Sequence, residues 1–216
     1  MEYALLGWPE DGPTLRLDYR EFSYAGKFVM SSTGKAVVYE GDREEPSGRA
    51  SGEAASREGA EYADGVVAAA SFDEDRTDSG VCRIRYITVR SDRRGEGIGP
   101  RLAAFVADRA RERGYDVARI AVNNPFAYQA LYRAGFGFTG EETGVAELVL
   151  DRPLGPSTDR SDRATPDRTR ETYQAGLDDY RERAEDPDAP ALSEAERDFL
   201  DEKRGADPPE PVESPT

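Results

Sequence analysis

The sequence contains no histidine and a single cysteine, Cys82. The first absence removes imidazole as a base or ligand, and with it most zinc sites; the second removes any internal disulfide. No other cluster of side chains calls for a metal. Lysine is nearly missing too: Lys27, Lys35 and Lys203 are the only three among 29 basic residues. Basic charge as a whole is outweighed, since 44 acidic residues give 216 residues a formal net charge of −15. A surface of that sign does not suit nucleic acid, which needs clustered cations against phosphate, nor an anionic membrane. No run approaches the roughly 20 apolar residues that span a bilayer. The start, MEYALLGWPEDG, lacks the basic opening and apolar core of a signal peptide. A soluble, cytoplasmic protein with one ordinary domain and an appendage is the expectation. Abundant carboxylates with arginine in place of lysine suit a halophilic surface, and also a genome rich in arginine codons.

The charge is unevenly spread. From Gly155 to Thr216 there are 18 acidic and 9 basic residues, a net of −9, which leaves −6 for the first 154. The opening of this stretch (GPSTDRSDRATPDR) and its end (ADPPEPVESPT) are polar and Pro-rich, the composition of disorder. Between them Tyr173, Leu177, Tyr180 and Ala184 share one helix face, and Ser193 with Glu196 forms a capping box before Phe199 and Leu200. A marginal helical tail and a tail docked on the domain or on a partner both fit. The domain itself is expected over 1–154, with residues 41–60 as a polar loop or insertion.

Within that domain, residues 14–40 are rich in β-branched and aromatic residues and predict strands. SSTGK at Ser31–Lys35 lacks the upstream glycine of a phosphate loop and predicts a hairpin turn. Gly65–Phe72 and Val81–Val89 are apolar or mixed on both faces, as in interior strands. Leu102, Phe105, Val106 and Ala110 make a helical stripe, with Pro100 in its first turn and Gly114 beyond its end. Ala118–Val122 predicts a short buried strand. Asn124 and Pro125 open a helix whose apolar face is Ala127, Ala130, Leu131 and Ala134, and Gly135 stops it. Phe136–Thr139 and Ala146–Asp151 predict two closing strands. Helices that follow strands, with an antiparallel end, make a mixed α/β domain.

The segment Arg93-Arg94-Gly95-Glu96-Gly97-Ile98-Gly99 joins a strand to a helix. Its three glycines let the backbone turn tightly and approach a ligand with no Cβ between them. Free N–H groups of the loop and helix start then converge, and the helix dipole favours an anion there. Arg90, Arg93, Arg94 and Arg101 crowd positive charge around that point, which favours a phosphate-bearing ligand. A dinucleotide site is excluded, because G-x-G-x-x-G fails at Pro100 and at Leu102, and Asn123 and Asn124 stand where an acid is needed. A nucleoside-triphosphate loop is excluded because no G-K-[S/T] follows.

The stretch Arg94-x-x-Gly97-x-Gly99, with ITVRSDRRG leading into it, instead resembles the pyrophosphate loop of the GCN5-related N-acetyltransferase family. A second family-like stretch follows at the usual distance: Asn124-x-x-Ala127-x-x-x-Leu131-Tyr132-x-x-Gly135-Phe136. The resemblance covers about Gly65–Leu154 and implies that family's α/β acyl-CoA fold, a mixed sheet in which two parallel strands splay apart. It also suggests an acidic, haloarchaeal-like member. The two helices that the family carries after its first strand have no counterpart in residues 20–35, which are too short and too strand-like.

The resemblance implies acetyl-CoA as acetyl donor. Ile87 and Val89 would pair with the pantetheine arm, amides of Arg94, Gly95, Gly97, Ile98 and Gly99 would hold the pyrophosphate, and Asn124 would touch the cofactor. An N–H near Ile87 would stabilise the carbonyl oxyanion. Tyr132 matches the general acid for the departing thiolate, and a phenol stays protonated at neutral pH. The family's glutamate base falls at about Arg83, so the base stays open between Glu61, Glu141, Glu142, Glu147 and a water relay. Cys82 has no histidine to activate it as a nucleophile. Arg83 and Arg85 share one strand face and fit either an anionic acceptor or the domain's own acids. The implied reaction is direct transfer to a primary amine, on a small molecule or a protein, in a ternary complex. The alternative is a non-catalytic acyl-CoA-binding module with an acidic partner-binding tail. A homodimer is compatible with either.

Overall fold

The structure, a computed structural model, describes residues 1–41, 62–155, 166–185 and 191–215. Nearly all of the expected 41–60 loop, and residues 156–165 of the opening of the acidic stretch, lie outside the described residues. The elements in chain order are β1 (Glu2–Gly7), β2 (Gly34–Tyr39), β3 (Val66–Glu74), β4 (Val81–Val89), α1 (Ile98–Glu112), β5 (Val117–Val122), α2 (Pro125–Arg133), β6 (Gly137–Glu142), β7 (Leu148–Pro153), α3 (Arg170–Glu185) and α4 (Glu194–Glu202). The strands form one mixed sheet in the order β1-β2-β3-β4-β5-β7-β6. Only β4 and β5 pair in parallel; every other neighbouring pair is antiparallel. Among the described residues no helix is long and apolar enough to cross a membrane.

The helices begin and end where the residues dictate. Asn124 caps α2 by accepting from the Ala127 N–H at 2.8 Å, with Pro125 in the first position, where a missing N–H costs nothing. Gly114 and Gly135 follow α1 and α2 in the left-handed region, at φ +95° and +87°. Helix α1 buries Ile98, Leu102, Phe105, Val106 and Ala110 against one sheet face.

The other face, over β2 and β3, is covered differently from expectation. Residues 14–33 form no strand: they run irregularly through a 3₁₀ turn at Ala25–Lys27. Their apolar residues Leu15, Leu17, Phe22, Ala25 and Phe28 pack on Val37, Tyr39, Val66 and Ala69. Burial, not strand pairing, accounts for the composition there. SSTGK is therefore no hairpin turn. It enters β2, held by buried Lys35, whose Nζ donates to the carbonyls of Met30 (2.9 Å) and Thr33 (2.7 Å). The first strand lies earlier, at Glu2–Gly7, where no strand was expected. No α-helix stands between β1 and β2 among the described residues.

One irregularity shapes the centre of the sheet. Between β3 and β4, Ser71 faces Tyr86 while Phe72 faces Ile84, so Arg85 is an extra residue and β4 bulges there. A bulge bends its strand and increases its twist. Parallel pairing with β5 runs from Val81↔Val117 to Ile84↔Ile120 and stops at that point. Beyond it β4 stays with β3 while β5 stays with β7 up to Val122↔Leu148. A gap opens between them.

The acidic stretch after Gly155 is not a loose tail. Helix α3 buries Tyr173, Leu177 and Tyr180, and α4 buries Leu200, all within the main core. The Ser193–Glu196 capping box forms as expected, with Glu196 N–H donating to Ser193 Oγ at 3.3 Å. Gly176 permits the close docking: a Cβ there would lie 2.5 Å from Cζ of Tyr128. The end of the chain, expected to be disordered, instead packs on α2, with Val212 N–H bonded to the Arg133 carbonyl at 2.7 Å. Side-chain packing thus crosses the boundary expected at residue 154. A chain stopped at Leu154 should lose its cooperative thermal transition, since stripping the partners of Tyr128, Tyr132 and Phe138 exposes several large side chains, each worth about 1.5–3 kcal/mol when buried. A sharp melt at the full-length temperature would show that the extension adds nothing to the core.

Candidate active site

The gap and the glycine loop form one continuous feature. Val89 faces Ala68 across β3, yet it is the Arg90 N–H that donates to the Val67 carbonyl, at 2.9 Å. In an antiparallel ladder this pattern turns the amides of Val89, and of Ile87 two residues earlier, away from β3. Both therefore face the gap, with no β5 residue paired to them. This is the edge expected to carry a ligand arm.

Immediately beyond, the chain turns through Gly95 (φ +86°) and Gly97 (φ +75°) into α1. Left-handed values such as these are costly for any side chain with a Cβ. The amides of Arg94, Gly95, Gly97, Ile98 and Gly99 make no backbone hydrogen bond to the described residues. Pro100 has no N–H, and the Arg101 amide returns to the Gly97 carbonyl at 3.5 Å. The loop thus presents unsatisfied donors at the positive end of a helix 15 residues long.

The cations around it differ from the sequence reading. Arg90 is paired with Asp92 (2.7 Å) and Glu40 (3.2 Å), and Arg93 with Glu96 (2.8 Å) and Glu40. Those two arginines brace the loop and are largely neutralised. Arg94 and Arg101 have no carboxylate partner among the described residues; Arg94 donates to Ser23 Oγ at 2.8 Å and Arg101 to the Glu96 carbonyl at 3.5 Å. A third cation, Arg133, joins them from the end of α2. Guanidinium nitrogens of Arg101 and Arg133 each lie 3.7 Å from the point where a side chain at Gly97 would begin. Nothing in the local sequence marks Arg133, since only the tertiary crossing of α1 and α2 brings it to the loop.

The remaining expected residues are placed as follows. Asn124 lies after β5 at the mouth of the gap, its side-chain oxygen committed to the α2 cap. Tyr132 is fully buried. Its hydroxyl accepts from the Phe138 N–H of β6 at 3.1 Å and shares a hydrogen bond with the Tyr128 hydroxyl at 3.4 Å, so it lies against β6. Burial raises its pKa, and the two hydrogen bonds and the Arg168 guanidinium over its ring temper the rise. Arg83 and Arg85 pair with Asp75 (3.5 Å) and Asp73 (2.6 Å), so they face the domain's own acids. Cys82 is buried with its thiol pushed up to about 12, which removes it as a nucleophile. Glu142 bonds Arg183 at 3.0 Å and Glu147 takes a hydrogen bond from Thr143 at 3.4 Å, both at the β6–β7 edge. Glu141 is exposed on β6 and Glu61 lies outside the described residues.

Comparison with known proteins adds one decisive relation. Residues 17–138 match the family model described as the Acetyltransferase (GNAT) family. No curated protein matches the chain. Among solved structures, a ribosomal-protein-alanine N-acetyltransferase from Brucella melitensis is 22% identical, covering 56% of this chain and 69% of its own, with a TM-score of 0.40. A nourseothricin acetyltransferase is 18% identical over 71% of this chain and 98% of its own, with a TM-score of 0.43. A Bacillus subtilis acetyltransferase solved with CoA is 14% identical over 57% of this chain and 78% of its own, with a TM-score of 0.41.

The loop makes a direct prediction. Gly97→Val forces a β-branched residue to φ +75° and sets its methyls against Arg101 and Arg133. Calorimetry should show acetyl-CoA binding weakened at least about tenfold, or 1.4 kcal/mol, in a protein that still melts cooperatively. Unchanged affinity would remove the loop from the site.

Proposed function

Because the chain belongs to the GNAT acetyltransferase family, its residues 17–138 matching that family's model, we propose that it is an acetyl-CoA-dependent N-acetyltransferase acting on a primary amine, by direct transfer in a ternary complex. The observation that carries this reading is the unpaired edge of β4, where the Ile87 and Val89 amides face a gap that leads into a loop of free N–H groups. The residues fit the donor: a Cβ at Gly97 would fill the space between Arg101 and Arg133, and neither cation has a carboxylate partner among the described residues.

In this reading Ile87 and Val89 orient the pantetheine arm as an added strand would be oriented. The amides of Arg94, Gly95, Gly97, Ile98 and Gly99, with Arg94, Arg101 and Arg133, hold the pyrophosphate. Asn124 borders the arm from the β5 side. Bound there, acetyl-CoA supplies a thioester carbonyl open to attack by an amine. The Ile87 N–H is assigned to the developing charge on the carbonyl oxygen, a contribution that reaches several kcal/mol in such sites. Tyr132 is assigned to deliver a proton to the departing sulfur. Burial raises its pKa and keeps the phenol protonated, so it has a proton to give. Since the hydroxyl lies against β6, this role requires the Phe138 bond to open or the ring to turn when the donor enters. No carboxylate is assigned as base: Arg83 occupies the family's position for one, and the acids beside it are held in ion pairs. We therefore assign removal of the amine proton to water.

The whole reading is tested by incubating the protein with acetyl-CoA and a panel of amines in molar salt while following free thiol. Release that depends on the amine is expected; binding of CoA without release for any amine would make the protein a binding module. Tyr132→Phe should lower kcat by about 10²-fold, the lower end of general acid catalysis, with the KM for acetyl-CoA nearly unchanged. An unchanged kcat with a lowered Tm would assign the hydroxyl to its bond with Phe138 alone.

A further inference from the structure

The chain beyond residue 138 is outside the matched family segment, yet it holds one end of the site. Helix α2 ends at Arg133, and the last carbonyls of a helix have no intrahelical donors. Here the extension adds donors to them, although the Tyr132 carbonyl also accepts from the Gly135 N–H at 3.0 Å. The Arg168 guanidinium donates to the Tyr132 carbonyl at 2.6 Å and, just past the helix, to the Phe136 carbonyl at 3.1 Å. The Val212 N–H donates to the Arg133 carbonyl at 2.7 Å. Arg168 also bonds the Pro209 carbonyl at 3.4 Å, tying the two ends of the extension together over α2. A guanidinium at this position meets the negative end of the helix dipole as well.

The arrangement depends on Gly137, at the start of β6. A Cβ at Gly137 would stand 3.1 Å from Cγ of Arg168 and 3.1 Å from Cβ of Pro166. At the opposite end of α2, the Tyr180 hydroxyl of α3 donates to the carbonyl of Val122, two residues before the Asn124 cap, at 3.1 Å. Both ends of this nine-residue helix are therefore held by the extension. The residue at its last position is Arg133, the cation over Gly97.

We propose that the C-terminal extension positions the phosphate-binding part of the site, with Arg168 acting through Arg133. This rests on the acetyl-CoA reading above. Arg168 is a positioning residue: it fixes the end of α2 so that Arg133 stands over the Arg94–Gly99 loop. Affinity for the phosphates of the donor then depends on the extension, while recognition of the pantetheine arm, which uses β4, does not.

Two ligands separate this from simple structural support. CoA carries the phosphates; pantetheine has the same arm without them. In the full chain, Arg168→Met keeps most of the aliphatic stem and removes the charge and all three hydrogen bonds. Calorimetry should show CoA binding weakened about tenfold, the scale of a lost charge-assisted hydrogen bond, while NMR titration shows pantetheine binding unmoved. Arg133→Met should give a similar loss, and the double variant no further loss. Arg168→Lys, which keeps the charge, should recover part of the affinity. Val212→Pro deletes one N–H and should weaken CoA alone by a smaller factor, which keeps the question answerable if Arg168→Met does not fold. Equal losses for CoA and pantetheine, additive losses in the double variant, or CoA affinity unchanged in the single variants would overturn the inference while leaving the donor reading intact. A wild-type chain that does not bind CoA would overturn the donor reading, and this inference with it.

Discussion

Everything at the candidate site follows from the interruption of one parallel strand pair. Strands β4 and β5 share hydrogen-bonding register only as far as Ile84 and Ile120. Past that point each is held by its other neighbour, β4 by β3 and β5 by β7. The bulge at Arg85 supplies the local cause, because an extra residue bends β4 where pairing ends. Unpaired amides inside a sheet are costly unless something satisfies them. In this fold the interruption leaves the Ile87 and Val89 amides facing the gap, the edge proposed to take a ligand arm, while the Val89 carbonyl accepts from Arg94 Nε at 3.4 Å. The loop after β4 extends the same logic: its glycines take left-handed angles, and its amides are left free at the start of α1.

Charge is distributed around that edge with discrimination. In a chain with net charge −15, most arginines near the loop and on β4 are spent in pairs: Arg90 and Arg93 on Glu40, Asp92 and Glu96, and Arg83 and Arg85 on Asp75 and Asp73. The cations without a carboxylate partner among the described residues near the loop are Arg94, Arg101 and Arg133. A count of basic residues along the loop therefore overstates its field and misses one of its contributors. The acidic extension carries most of the excess negative charge, yet it reaches α2 through backbone groups, arginine and tyrosine.

The legible part of the sequence was local. Capping residues set both ends of α2, the glycine spacing set the loop, and the apolar stripe of α1 set its buried face, because each is decided within a few residues. Residues 14–33 misled because apolar and aromatic residues serve a packed irregular segment as well as a strand, and composition cannot tell the two apart. The edge strand β1 was missed because six residues between a chain end and a turn give little periodicity. The docking of α3 and α4 was unreadable for a different reason. It depends on Gly176 and Gly137 leaving room for Tyr128 and Arg168, contacts between residues far apart in sequence. Arg133 was missed on the same account. The side chain of Tyr132 was legible as aromatic and helical, but its direction toward β6 was set by tertiary packing.

The central claim is that the freed edge of β4 and the loop behind it are where the donor sits. Amide hydrogen exchange, resolved by residue and measured with and without CoA, addresses it directly. The account predicts that CoA slows exchange at Ile87, Val89, Gly95, Gly97, Ile98 and Gly99, while amides of β4 already bonded to β3 change little. Protection confined to other parts of the chain, with the Ile87 and Val89 amides exchanging as fast as before, would contradict it.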